Sequence, residues 1–211
     1  MVTSGPTQEA IDPVRFISNH SSGKMGAALA TAFAEAGAYV HLVLGKGAFK
    51  PSHPNIQIHK VVSAQEMYEV SAKLHPAMDI SVFAAAVADY APKHVAPEKI
   101  KKDGEGMVLE LTKNIDIAYT LGLQKKDHQV HVGFALETEN EEFHAKQKLR
   151  KKNFDLIVLN STKDEGAGFQ LDTNKVRLFR EDGHTVESGV LPKPEVAKLI
   201  LEEIKKLPVK I

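Results

Sequence analysis

Residues 16–44 read FISNHSSGKMGAALATAFAEAGAYVHLVL, and three physical signals follow one another along them. Phe16–Gly26 is a turn of small residues that carries one amide, Asn19. Lys24–Ala36 is rich in Ala, with Leu29 and Phe33 four apart, the spacing that places two apolar side chains on one helical face. Ala38–Leu44 is an apolar run of strand length. A turn, a helix and a strand in that order make the repeating unit of an α/β domain.

The alternation continues along the chain. Met1–Ser4, Ile56–Val61, Ile80–Ala85, Val130–Phe134 and Leu156–Asn160 are further strand candidates, and Ala64–Leu74, Ile115–Leu123, Asn140–Lys152 and Pro194–Leu207 carry helical spacing. Ser63 and Glu66 form a capping-box pair at the head of the second helix. The pattern predicts an α/β fold: a Rossmann-like, largely parallel sheet flanked by helices. Val176–Arg180 and His184–Glu187 flank an Asp182-Gly183 turn and predict a C-terminal β-hairpin appended to that core. No repeat, low-complexity tract or linker divides the sequence, so residues 1–211 read as a single domain, large enough to bury a core without disulfides or metals.

Composition narrows the chemistry. There is no Cys, which removes a thiolate nucleophile, a disulfide framework and a Cys-based zinc site. Lys+Arg and Asp+Glu number 27 each, so no net charge points to nucleic acid or to an anionic membrane. The opening MVTSGPTQEA has no basic, apolar leader pattern, and the expectation is a soluble cytoplasmic protein. The ten histidines are scattered, only His128 and His131 lying close, so no built-in metal site is expected; Mg²⁺ would arrive with a nucleotide triphosphate. No G-x-S-x-G supports a hydrolase triad.

Two stretches suggest a nucleotide site. Gly5, within Thr3–Thr7 after the first strand, and Ser21, Ser22 and Gly23, before the first long helix, offer backbone that phosphate oxygens could approach. Ser-Ser-Gly is equally the chemistry of a helix cap with a turn. Neither GxxxxGK[ST] nor G-x-G-x-x-G is present. Asn19 can orient an acyl oxygen through its amide, or serve as an Asx turn residue. In the second stretch, Asp89 sits just after an apolar strand, where a carboxylate can reach a ligand or cap the next turn. Residues 91–104 hold Pro92 and Pro97 with Lys93, Lys99, Lys101 and Lys102, and read as solvated loop charge or as a cationic lid. Lys148 and Lys152, four apart, share one helical face; they satisfy the helix's own electrostatics and could also meet a nucleotide.

Taken together, VTSGPTQEAIDPVRFISNHSSGKMG, AAAVADY, APEKIKK, TKNIDI, GFALET, QKLRKKNFDLIVLN and GFQLDTNKV resemble the phosphopantothenoylcysteine synthetase family, the phosphopantothenate–cysteine ligases of coenzyme A biosynthesis. The likeness runs from residue 2 to about residue 205. It implies a ligase that joins 4′-phosphopantothenate to cysteine through an acyl-cytidylate, consuming CTP and releasing pyrophosphate and CMP. It also implies roles by position: Asn19 on the acyl-phosphate carbonyl, Lys99 on the phosphates from the lid, and Ala85 on substrate through its backbone. Asp89, Ile115, Asp116, Ile117, Ala118, Phe134, Lys148 and Lys152 would bind the nucleotide. Arg15 would reach the pantothenate phosphate across a dimer interface, so a homodimer is implied. In many bacteria such a unit is fused to a flavin-dependent decarboxylase, which nothing in this chain resembles. One departure is Lys113-Asn114-Ile115-Asp116-Ile117, where the family commonly has Pro at the third position; its loss would remove a favoured first-turn helix residue.

Two other readings remain open from the residues alone. A Rossmann-type NAD(P)-dependent oxidoreductase would need a dinucleotide glycine fingerprint or a Tyr-x-x-x-Lys pair, and Val43, Ala72, His94 and Leu123 stand four after the tyrosines. A non-catalytic nucleotide-binding module would keep a glycine turn and have no use for Asn19 with Lys99.

Overall fold

A computed structural model describes residues 1–102, 104, 106–137, 139–161 and 171–208. The chain opens with β1 (Val2–Ser4), makes a small antiparallel hairpin of β2 (Gln8–Ala10) and β3 (Phe16–Ser18), and enters α1 (Lys24–Glu35). Next come β4 (Val40–Gly45), β5 (Ile56–Val61), α2 (Ala64–Leu74) and β6 (Ile80–Phe83). A second small hairpin, β7 (Tyr90–Pro92) with β8 (Leu111–Lys113), precedes α3 (Ile117–Gly122), β9 (Val130–Glu137), α4 (Glu141–Lys151) and β10 (Leu156–Ser161). The last part comprises β11 (Thr173–Asn174), β12 (Val176–Arg180), β13 (Thr185–Glu187), β14 (Leu191–Pro192) and α5 (Lys193–Lys205).

One mixed sheet of eight strands runs in the order β13-β12-β10-β9-β6-β1-β4-β5. The six strands from β10 to β5 are parallel, and β12 and β13 continue the sheet antiparallel beyond β10. The expected hairpin forms around Asp182-Gly183, with Gly183 at φ 88° and the Asp182 carboxylate accepting from the His184 amide. It extends the main sheet instead of standing apart, because β10 offers β12 five consecutive pairing positions.

Burial on both faces explains why the parallel strands read as apolar runs. Leu42, Leu44, Val82, Val132, Leu156 and Val158 pack on one face with Leu29 and Phe33 of α1 and Val196, Ile200 and Ile204 of α5. Val43, Phe83, Ile157 and Leu159 turn to the other, against Met67 of α2, Ile117 and Leu121 of α3, and Leu149 of α4. The capping box forms: Glu66 N donates to Ser63 Oγ at 3.1 Å, while the Glu66 carboxylate accepts from the Val62 amide at 2.7 Å. Helix α3 starts later than its pattern suggests, because Asp116 caps it by accepting from Tyr119 N at 3.0 Å. Ile115 therefore lies before the cap, and the absent proline is not missing from a first turn. Among the described residues no helix is long and apolar enough to cross a membrane.

Candidate active site

Strand order places the site. From β1 the chain winds outward to β4 and β5, then returns to β6 on the other side of β1 and winds outward again to β9 and β10. The carboxyl ends of β1 and β6 thus flank the point where winding reverses, the place where open α/β sheets form their ligand crevice. Backbone beyond both strands stays paired: Ala84 N donates to Thr3 O at 3.2 Å and Ala86 N to Gly5 O at 2.9 Å. Thr3 Oγ1 accepts from Ala85 N at 3.3 Å, and Thr7 Oγ1 from Ala88 N at 3.0 Å.

Beside this edge lies a cleft of about 520 Å³. Ala85, Asp89, Ile115, Asp116, Ile117, Ala118, Phe134, Lys148 and Lys152 all line it, so nine separately named positions from four segments share one space. Asn114 braces the walls, its side-chain amide donating to Ala88 O at 2.8 Å and its backbone N–H to Asp89 O at 2.8 Å. The cations are paired, Lys148 to Glu137 at 2.6 Å and Lys152 to Asp116 at 3.0 Å. Half-exposed pairs of this kind are worth ~0.2–1 kcal/mol, so a polyphosphate can exchange for either carboxylate at small cost. Thr3, Lys113, Asn114, Gln147 and Lys151 also line the cleft, and residue reasoning had not selected them as site residues. All five lie within the quoted motifs, Thr3 in the first, Lys113 and Asn114 in TKNIDI, and Gln147 and Lys151 in QKLRKKNFDLIVLN.

The glycine turns sit elsewhere. Gly5 (φ 80°) and Gly23 (φ 70°) are buried under Ala48, whose methyl a Cβ at either position would strike. Ala48 lies on the side where a Cβ would stand, so both positions need glycine. Ser21 and Ser22 are half-buried and outside the cleft; Ser22 O accepts from Phe49 N at 2.8 Å, and Gly23 N leans toward Ser21 Oγ at 3.4 Å. The cap of α1 is Gly23 with no side-chain bond, so neither serine caps the helix.

Asn19 is exposed at the exit of β3, and its amide donates to Val87 O at 2.9 Å, with Ala86 O at 3.4 Å. Arg15 closes the turn of the β2–β3 hairpin. Its guanidinium donates to Asp12 through Nε at 2.9 Å and Nη2 at 2.5 Å, and Nη2 also reaches Ile100 O at 2.9 Å. Those contacts hold the Asp12 carboxyl well below the ordinary carboxylate range. Lys99, exposed, precedes Ile100 in the loop between β7 and β8. Arg15 and Asn19 are four residues of extended chain apart, about 13 Å. Lys99 is thus held toward one end of the hairpin and Asn19 at the other. Among the described residues, no three His, Asp or Glu side chains converge as a metal cage.

The fold and this edge have relatives. A family model described as the DNA/pantothenate metabolism flavoprotein C-terminal domain matches residues 1–207. The chain is 46% identical over 207 residues to the coenzyme A biosynthesis bifunctional protein CoaBC of Bacillus subtilis, covering 98% of this chain and 51% of that protein. It is 47% identical over 203 residues to a cysteine/cysteine sulfinic acid decarboxylase of an unknown prokaryotic organism, covering 96% and 56%. The chain therefore spans about half the length of the curated relatives it matches. A crystal structure of the C-terminal domain of CoaBC superposes with a TM-score of 0.81 at 42% identity, over 97% of this chain and 92% of that one. A Cab2 mutant solved with phosphopantothenate-cysteine shares the fold, with a TM-score of 0.77 at 16% identity, over 97% of this chain and 84% of that one.

Proposed function

The chain belongs to the family of the DNA/pantothenate metabolism flavoprotein C-terminal domain, and from that premise we propose that it ligates 4′-phosphopantothenate to cysteine at the expense of CTP. The observation that carries this reading is the cleft at the switch point, where Asp89, residues 115–118, Phe134, Lys148 and Lys152 meet within reach of the β1–β6 edge. Half-buried Phe134 and the apolar Ile115, Ile117 and Ala118 around the head of α3 suit a base and ribose; the two lysines suit phosphate.

The chemistry runs in two displacements. A carboxylate oxygen of phosphopantothenate attacks the α-phosphorus of CTP, the bond to the β-phosphate oxygen breaks, and pyrophosphate leaves. The cysteine amine then attacks the acyl carbon, the bond to the CMP oxygen breaks, and the amine proton passes to solvent. Asn19 serves both steps: one amide hydrogen anchors it to Val87, and the second, on a long 3.4 Å approach to Ala86, is the one to meet the acyl-phosphate oxygen. Lys99 offsets charge on the departing pyrophosphate. Mg²⁺ would accompany CTP and offset phosphate charge, without a dedicated protein cage among the described residues. Arg15 and the exposed Val14 and Phe16 lie at the hairpin turn, the surface through which a second copy would receive the pantothenate phosphate.

The decarboxylase name belongs to a relative nearly twice as long, and the residues above offer it no support. Incubating the protein with phosphopantothenate, cysteine and CTP, ATP or NADPH in turn tests the proposal. Amide product with stoichiometric CMP and pyrophosphate is expected; a response to NADPH alone would overturn it, and an active monomer in sedimentation would remove the cross-subunit role of Arg15.

A further inference from the structure

The loop that carries Lys99 is tied to the β2–β3 hairpin on both sides of the lysine, at Ala96 and, through both its N–H and its carbonyl, at Ile100. Ala96 N donates to Ile11 O at 3.0 Å. Ile100 N donates to Asp12 Oδ2 at 3.1 Å. Asp12 is 3% exposed, and its carboxylate is fully used. Oδ1 accepts from the backbone amides of Val14 and Arg15, both at 2.8 Å, and shapes the turn. Oδ2 takes Nε and Nη2 of Arg15 together with the Ile100 amide, 88 residues away in sequence. One oxygen thus builds the hairpin turn, and the other binds the loop to it.

We propose that Asp12 is a positioning residue for the ligation: through Oδ2 it fixes the backbone beside Lys99 to the hairpin whose exit carries Asn19, so that lysine and amide are presented by one rigid element. This rests on the ligase reading for its catalytic consequence, while the tether itself does not depend on it. Charged hydrogen bonds to a buried carboxylate are the strong kind, and Asp12 also holds by its Oδ2 the Arg15 guanidinium whose Nη2 donates to Ile100 O at 2.9 Å.

Asp12→Asn keeps an acceptor at Oδ1 for the turn and replaces Oδ2 with a donor that faces three donors, Arg15 Nε and Nη2 and the Ile100 amide. Ile100→Pro removes the other partner, the loop N–H, and leaves Asp12 with Arg15. Amide hydrogen exchange at Ala96 and Ile100, read against the sheet amides of Leu42 and Val132 as the check on folding, is expected to speed at least tenfold at Ile100 in Asp12→Asn with the sheet unchanged. Unchanged exchange at Ile100 overturns the tether. Pyrophosphate release under single turnover is expected to fall in Asp12→Asn and Ile100→Pro alike, with CTP affinity retained. Asp12→Asn combined with Lys99→Ala should be no slower than Lys99→Ala alone; losses that multiply instead overturn the positioning role. If the unaltered protein releases no pyrophosphate from CTP and phosphopantothenate, the ligase reading falls, and exchange alone then decides the tether.

Discussion

Asn19 donates to Val87 O at 2.9 Å, so deleting its side chain carries two separable costs. Loss of an exposed hydrogen bond lowers stability by about 0.5–1.5 kcal/mol. Loss of a donor that stabilises developing charge lowers turnover by roughly 10²- to 10³-fold. Asn19→Ala is therefore expected to melt near the parent protein while kcat for amide formation collapses. Turnover within a few-fold of the parent would leave Asn19 only its anchoring role. Asp12 and Asn114 illustrate why residue roles escape local reading. The turn-forming half of Asp12 could be read from Val14 and Arg15, but its Ile100 contact joins segments whose proximity only the strand order creates. Asn114 likewise braces the cleft by bonding to Ala88 and Asp89, which precede it by a whole hairpin.

Helix α1 meets the end of β1 so closely that a Cβ on Gly26 would run into the Ser4 side chain, while Ser4 Oγ donates to Gly23 O at 3.1 Å. Propensity and packing pull in opposite directions here. Alanine is favoured over glycine within a helix by about 1 kcal/mol, whereas overfilling a close contact costs about 1–3 kcal/mol. With backbone of β1 behind the serine, packing should win, and Gly26→Ala is expected to lower the urea midpoint at an unchanged m-value; a raised midpoint would show that α1 can retreat freely. Long elements such as α2 and β5 were legible to the residue, because eleven or six positions of periodicity leave little ambiguity. The hairpins β2–β3 and β7–β8 were not, since strands of three residues carry too few alternations to register. Those two hairpins hold the Asp12 turn and frame the lysine loop, so the least legible elements are the ones nearest the proposed chemistry. The grouping in the cleft came from family likeness; spacing alone had joined only Lys148 with Lys152.

The whole molecule divides chemically between the two edges of its sheet. The carboxyl edge bears the cleft, and toward the amino edge His131, at the start of β9, lies buried against His75, their Nε2 atoms 2.8 Å apart. Burial, then His75, then Lys125 push the His131 imidazole down to about 3, and burial also lowers His75. Neither neighbour favours a second positive charge there. The unfolded chain takes up a proton near pH 6.5 that the folded protein refuses, so stability is full above 6.5 and falls as acid is added toward 3. Each refused proton contributes a slope on the order of 1.4 kcal/mol per pH unit. Asp12, whose carboxyl is held down by Arg15, adds its own loss only below about pH 4, so the two windows are separable. His131→Gln keeps a polar side chain opposite His75 and removes the titration. Urea unfolding at steps from pH 7 to pH 4 should then show a slope shallower by about one proton, with the steep fall below pH 4 intact. Parallel slopes in variant and parent would mean that water reaches the pair and that acid attacks the fold first at its surface.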